Sequence, residues 1–428
     1  MTVRFRFDWV DAAPSPDCAA RHTMAALSVE AGGSSVTSIR DRRSQVYRDH
    51  VVVPLFNLAE WLVNNWWHLW YEIGDTVQQK PGFEQRHSLA FAGDGFVLPQ
   101  LTMVPSSGRM HLRWTRWAPL HAAVEFVDEA ETFVSRADLE TEFRTIVEAV
   151  IDRLRSLDAG SSASVSLGEA WDAINSLDPE EVEFSRAAAL LGIDPFDVED
   201  AVAEAIAAFW RRTAPSIREE ALAGADERTL PRVSEWLEHA VATLETSGKK
   251  NGWTAIRAAL SPVRAAEPWR RGYELANSVR RLLDVGDGRF EFHAQGPLAV
   301  HHRESATPCS RIHGLVAENG PACVTSGRSD TGRRFLLARA LGDYIGRPEP
   351  GFGILTSLFT DRQAQSRAFA AEFLAPAESL RSRLDDAFVD DDMIDEIGRE
   401  FGVSSQVVLH QIENHGLARP VRYGLSFG

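Results

Sequence analysis

Arg333-Arg334-Phe335-Leu336-Leu337-Ala338-Arg339-Ala340-Leu341-Gly342-Asp343-Tyr344-Ile345 is the stretch on which the reading of this chain turns. It reads as a helix. Arg339 and Asp343 lie four residues apart, so their side chains are neighbours on one face. Between them stand a methyl group, Ala340, and the apolar-glycine pair Leu341-Gly342. A cation, a methyl and a carboxylate thus occupy the middle of an otherwise apolar helix.

The surrounding chain has 428 residues, room for two or three domains. Hydrophobic residues make up 44% and charged residues 25%, as in an ordinary globular protein. The net charge of −16 speaks against a nucleic-acid coat or a binder of anionic membranes. The cysteines Cys18, Cys309 and Cys323 form no C-x-x-C pair, which argues against a disulfide framework and for a reducing compartment. Met1 to Arg6 lacks a secretory pattern, and no apolar run is long enough to span a membrane. A cytoplasmic protein is expected, with no membrane partner and no cofactor.

An α+β, multidomain fold is expected. Residues 1–157 form an N-terminal α+β domain. Val3 to Trp9 alternates as a strand, and a second extended piece follows at Ala25 to Val29. Val51 to Trp70 reads as a tryptophan-rich amphipathic helix with Pro54 near its start. Gly95–Val104 and Met110–Trp117 read as a hairpin around Ser106 to Arg109, and Val124 to Ser135 as extended. Asp138 to Leu157 is helical, with Leu139, Phe143, Ile146, Val147, Val150, Ile151 and Leu154 on one face. Asp158 to Ser164 reads as a linker, and residues 165–285 as a helical domain in which Pro195 opens a helix. Residues 290–428 form a third, mostly helical domain with a small sheet. Its short extended pieces include Phe290–Phe292, Leu298–Val300 and Ala322–Val324, and Thr360 to Gln363 has the form of a capping box.

This third part resembles the ImmA/IrrE family of metallopeptidases over roughly residues 290–418. Ile312-His313-Gly314-Leu315 resembles the family's strand entry, and Arg334-Phe335-Leu336-Leu337-Ala338 the run before its H-E-x-x-H. Ser366-Arg367-Ala368-Phe369-Ala370-Ala371-Glu372-Phe373-Leu374-Ala375-Pro376 resembles the helix that follows. Ile394 to Ser405, ending at Ile412 to Leu417, resembles the closing helix-turn-helix. The resemblance implies a zincin-like fold in which two His bind zinc and the intervening Glu serves as base.

Here those positions read Arg339-Ala340-Leu341-Gly342-Asp343. The family's third, acidic ligand falls near Gln363 and Gln365. No first-shell group is kept, and guanidinium is not a ligand, so neither metal nor catalytic residues are expected. Two arrangements are open. An Arg339–Asp343 ion pair plugs the pocket, or Arg339 offers a bidentate fork to an anion in an open pocket, with Gln365 and Arg367 beside it. Gln363 is expected to partner Thr360 in the capping box, and Glu372 to meet a local Arg.

Other candidates are weaker. His293, His301, His302, Glu304, Cys309 and His313 fit no metal spacing. Trp66 and Trp67 are adjacent, so they face different ways, and one of them is expected at an interface or an inter-domain contact. The second helix of the closing pair, Ser404 to His415, has no Lys or Arg, which disfavours direct DNA contact. The expectation is a non-catalytic regulatory or sensor protein with a protein partner, in bacterial stress response, mobile-element control or antiphage defence. The alternatives are a hydrolase with a non-standard site and a DNA-associated regulator.

Overall fold

The computed structural model describes residues 2–11, 18–76, 78–106, 108–120, 122–157, 162–247, 252–293, 296–326, 329–384 and 388–420. The fold is multidomain α+β. It divides into two units, Met1–Ala207 and Ala208–Gly428, each with its own apolar core. The separate helical domain expected at 165–285 is not found. Leu167, Trp171 and Ile174 join the first core, whereas Trp253, Leu275 and Val279 join the second. No helix among the described residues is long and apolar enough to cross a membrane.

In the first unit, β1 (Val3–Trp9) pairs antiparallel with β2 (Met24–Ala31), which pairs on its other side with β3 (Val51–Pro54). Val51 to Pro54 is therefore strand, not helix. Pro54 closes it, and α1 (Leu55–Asn64) begins at the next residue. Asn65 interrupts the helix before α2 (Trp66–Tyr71). Strands β4 (Leu101–Ser106), β5 (Arg109–Trp114) and β6 (Ala130–Ser135) form a meander. Gly108 takes φ 79° in the turn, a conformation that glycine adopts without a Cβ penalty. Helix α3 (Arg136–Ser156) buries the seven apolar residues its periodicity marks, and the Ser135 side chain caps its start. Helices α4 (Ser162–Ser176) and α5 (Pro179–Leu191) complete the unit's helical layer. Gly192 ends α5 at φ 86°. Pro195 sits in a turn, and α6 begins only at Asp200 (Asp200–Arg212). Of the expected linker, residues 158–161 lie outside the described residues, and the rest begins α4.

Trp66 and Trp67 do not reach an exposed interface: they are 3% and 7% exposed. After the break at Asn65 the short helix is apolar on every side, and such a helix belongs in a core. Trp66 packs edge-on against Trp70 and Trp171. The unit also buries a charged cluster. Glu72 accepts hydrogen bonds from Arg86 Nε (2.8 Å) and Nη2 (2.6 Å), His87 Nε2 lies at 3.3 Å, and Lys80 Nζ donates to the Leu190 carbonyl.

In the second unit, α7 (Pro215–Gly224) and α8 (Pro268–Leu282) precede a four-stranded sheet. Its strands are β7 (His302–Glu304), β8 (Ile312–Val316), β9 (Cys323–Thr325) and β10 (Gly353–Thr356), in the order β7-β9-β8-β10. Only β7 and β9 are parallel. Phe290 to Phe292 is irregular, and Ala299 makes only an isolated bridge to His293. The stretch that opens this account is α9 (Asp330–Gly346), capped by Ser329. Helix α10 (Asp361–Leu374) lies beside it so closely that a Cβ on Gly342 would run into the Phe369 ring. Helices α11 (Ala377–Arg381), α12 (Asp391–Phe401) and α13 (Ser405–His415) finish the unit, with Gly402 at φ 65° in the turn between the last two.

Candidate functional site

From Leu336 to Ile345, α9 is buried on all sides, so Arg339 and Asp343 carry their charges into the interior. They are 3% and 5% exposed. Buried charges are stable only when paired and hydrogen-bonded. These two are, but not with each other.

Arg339 Nη2 donates to the Thr356 carbonyl at 2.8 Å and to Gln363 Oε1 at 2.5 Å, while Nε reaches Ser366 Oγ at 3.4 Å. Asp343 accepts from Arg347 Nη2 at 2.5 Å and from Arg362 Nε at 2.5 Å. Burial works against the Asp343 charge, but Arg362 and Arg347 more than offset it and hold the carboxyl below its ordinary range. The predicted Arg339–Asp343 pair is thus replaced by two separate sets of partners. Gly353 forms the wall beside Asp343, and a Cβ there would collide with the Asp343, Arg347 and Arg362 side chains.

Gln363 is the hub. Its Oε1 accepts from the Thr356 backbone N–H at 2.9 Å, and its Nε2 donates to the Ile354 carbonyl at 2.7 Å. Those two backbone groups belong to β10, the last strand of the sheet. One side-chain amide therefore satisfies the strand as a neighbouring peptide group would. Gln363 Nε2 also donates to Glu220 Oε2 at 2.6 Å, and the Thr360 hydroxyl donates to Glu220 Oε1. Thr360 does cap α10 by accepting from Gln363 N–H, but the Gln363 side chain is spent on β10 and Glu220 and does not complete a capping box. Burial raises the pKa of Glu220 above the ordinary carboxylate range.

The structure gathers Arg339, Asp343 and Gln363, and separates the remaining candidates from them. Gln365 accepts from Arg271 Nε at 3.1 Å, and Arg367 donates from Nη1 and Nη2 to the Leu358 carbonyl. Among the described residues Glu372 makes no ion pair with an arginine, although its charge acts on Arg280. Glu372 accepts from Gln411 Nε2 at 2.7 Å and lies 3.4 Å from His415 Nε2. It borders a separate cleft of about 980 Å³, lined among others by Arg280, Arg281, Arg381, Glu274 and Asp287. His302 Nε2 lies 2.7 Å from Thr325 Oγ1, and Cys309 Sγ points at the Gly224 carbonyl. Among the described residues no three His, Cys, Asp or Glu side chains are placed to hold a metal ion.

Three members of the site were not anticipated. Arg347 was legible as the residue four after Asp343 on the same helix. Arg362 stands next to Gln363. Glu220 left no trace, because it comes from α7, 143 residues before Gln363. At the heart of α9, Arg339 and Asp343 are thus tied with Gln363, Arg347, Arg362 and Glu220 into a buried polar cluster. No family model matches the chain, and no curated protein gives a significant match.

Proposed function

We propose that the protein is a non-catalytic regulatory or sensor protein in which residues 290–428, part of the second unit, form a degenerate ImmA/IrrE-like peptidase domain. The observation that carries this reading is the occupation of the would-be active site. Arg339, Asp343 and Gln363 stand where the family keeps its zinc ligands, and Ala340 where it keeps its base. The Arg339, Asp343 and Gln363 side chains are each bound by neighbouring side chains or backbone groups. Gln363 also takes the backbone groups of Ile354 and Thr356, which an extended peptide substrate lying along β10 would need. A site closed in this way holds its helices together and cuts nothing.

In this reading the domain keeps a scaffold for binding a protein partner. On the same reading the partner binds at the cleft beside Glu372, whose walls carry arginines and carboxylates. A protein suits it better than nucleic acid, given the −16 charge and the absence of Lys and Arg from α13. A cytoplasmic setting in bacterial stress response, mobile-element control or antiphage defence follows from the resemblance alone.

The test is metal content. Elemental analysis of the purified protein is expected to find no stoichiometric zinc, and one zinc per chain would overturn the non-catalytic reading. The scaffold is tested separately by the combined variant Arg339→His, Ala340→Glu, Asp343→His, Gln363→Glu. If the domain is zincin-like, this variant binds one zinc. A folded variant that binds none sinks the resemblance.

A further inference from the structure

The first unit contains a pocket that the proposed function does not use. Val63, Trp67, Ala170, Ala173, Ile174 and Phe196 make its apolar walls, drawn from α1, α2, α4 and the turn before α6. It holds about 440 Å³, the size of a small-molecule site. Phe196 is 54% exposed at the mouth, an expensive place for a phenyl ring with nothing against it.

Three observations define what fits. The charged residues of the lining are Glu169 and Asp194, and no Lys or Arg lines it. Asp194 is held in place because its Oδ1 accepts from the Phe196 N–H at 3.0 Å. Second, the neighbouring aromatic rings are covered by guanidinium groups. Arg144 lies 4.9 Å from the Trp66 centroid and 5.2 Å from that of Trp171, and Arg136 lies 5.5 Å from Trp70 and 4.4 Å from Tyr71. Among the described residues no guanidinium covers Trp67, whose ring stacks on Tyr71 and borders the pocket. Third, His68 Nε2 is buried in this wall without a hydrogen-bond partner among the described residues, and an imidazole nitrogen without its proton can accept from an ammonium N–H.

We propose that this pocket binds a small organic ammonium ion. Its cationic head lies over Trp67 with Glu169 and Asp194 as counter-charges, and its apolar body lies against Phe196 and the aliphatic walls. The cation supplies for Trp67 what Arg144 and Arg136 supply for the neighbouring rings. Amines with an aromatic or branched aliphatic body are the class that meets both the charge and the apolar walls.

Isothermal titration calorimetry of the full chain tests this, with benzyltrimethylammonium as cation, benzyl alcohol as neutral probe and benzoate as anion. Saturable 1:1 binding of the cation is expected, at least about tenfold tighter than of benzyl alcohol, with none of benzoate. The exposed pair Glu169→Gln and Asp194→Asn should weaken it by about three- to fivefold each. Ala173→Trp, on the pocket-facing side of α4, should abolish it while the far-ultraviolet spectrum is unchanged. No heat with the millimolar cation, equal affinity for benzyl alcohol, or indifference to the loss of both carboxylates would each overturn the proposal.

Discussion

Both units bury a cluster of charges, and they stabilise it in different ways. In the first, Glu72 sits fully buried between Arg86 and His87, and His68 lies within its field. In the second, Asp343 sits between Arg347 and Arg362, and Arg339 is bound by carbonyl and amide oxygens. One cluster contains imidazoles, and burial pulls the pKa of one of them, His68, down to about 4. The other uses guanidinium groups that never release a proton in the working range, together with carboxylates and neutral amides. The first cluster therefore loses stability in acid through its imidazole, and the second has no imidazole to respond in that way.

Removing the central acid of each cluster tests that comparison most severely. Glu72→Ala leaves Arg86 and His87 without their anion, and should cost about 3–5 kcal/mol by urea denaturation. Asp343→Ala should cost less, about 2–4 kcal/mol. Arg347 keeps the Gly351 carbonyl, and Arg362, a quarter exposed, keeps the Ser216 carbonyl and water. An equal or reversed order would mean that the two clusters are not distinguished by their burial.

Acid comes next. Burial pulls His68 down to about 4, against the opposing pull of Glu72, with Arg86, His87 and Lys80 adding to the shift. The unfolded ring takes its proton near pH 6.5, and the folded one does not until about 4. Stability is thus intact above pH 6.5 and falls as the pH drops through that window, by roughly 3 kcal/mol in all. Glu72, held below its ordinary range despite burial, acts with the same sign at still lower pH. Hydrogen exchange at about pH 7 and about pH 4.5 should show protection lost in the first unit before the second. His68→Asn should flatten the response. The smallest effect has the opposite sign. Burial raises the pKa of Glu220, so its contribution weakens as pH rises. Glu220→Gln should therefore stabilise the second unit at neutral pH, by no more than about 1 kcal/mol, the scale of one hydrogen bond.

The sequence made the framework readable wherever periodicity was unbroken. The buried face of α3 agrees residue by residue with its spacing, and β1, β2 and the Gly402 turn stand where local signals put them. Val51 to Pro54 misled because an apolar run ending at a proline suits a strand end as well as a helix start. The helical middle misled because each helix's apolar face is visible in sequence, but not the core it joins. At the site, the placing of Arg339 and Asp343 on one face of an otherwise apolar helix was legible. The partners were not. Arg339 and Asp343 looked like a pair because i,i+4 spacing favours one, but the same rule equally joins Asp343 to Arg347. Gln363 looked like a cap because only its own helix was in view, and Glu220 is joined to it by tertiary packing alone.

A strand at the end of a sheet offers unpaired N–H and C=O groups to any other chain that presents an extended edge. In β10, the Ile354 carbonyl, the Thr356 N–H and the Thr356 carbonyl are already bound by Gln363 and Arg339. The side chains that close the interior of the site thus also remove a template for edge-to-edge association. Loss of Gln363 would be felt in solubility as well as in stability, since the groups it now holds would be left to seek partners on other molecules.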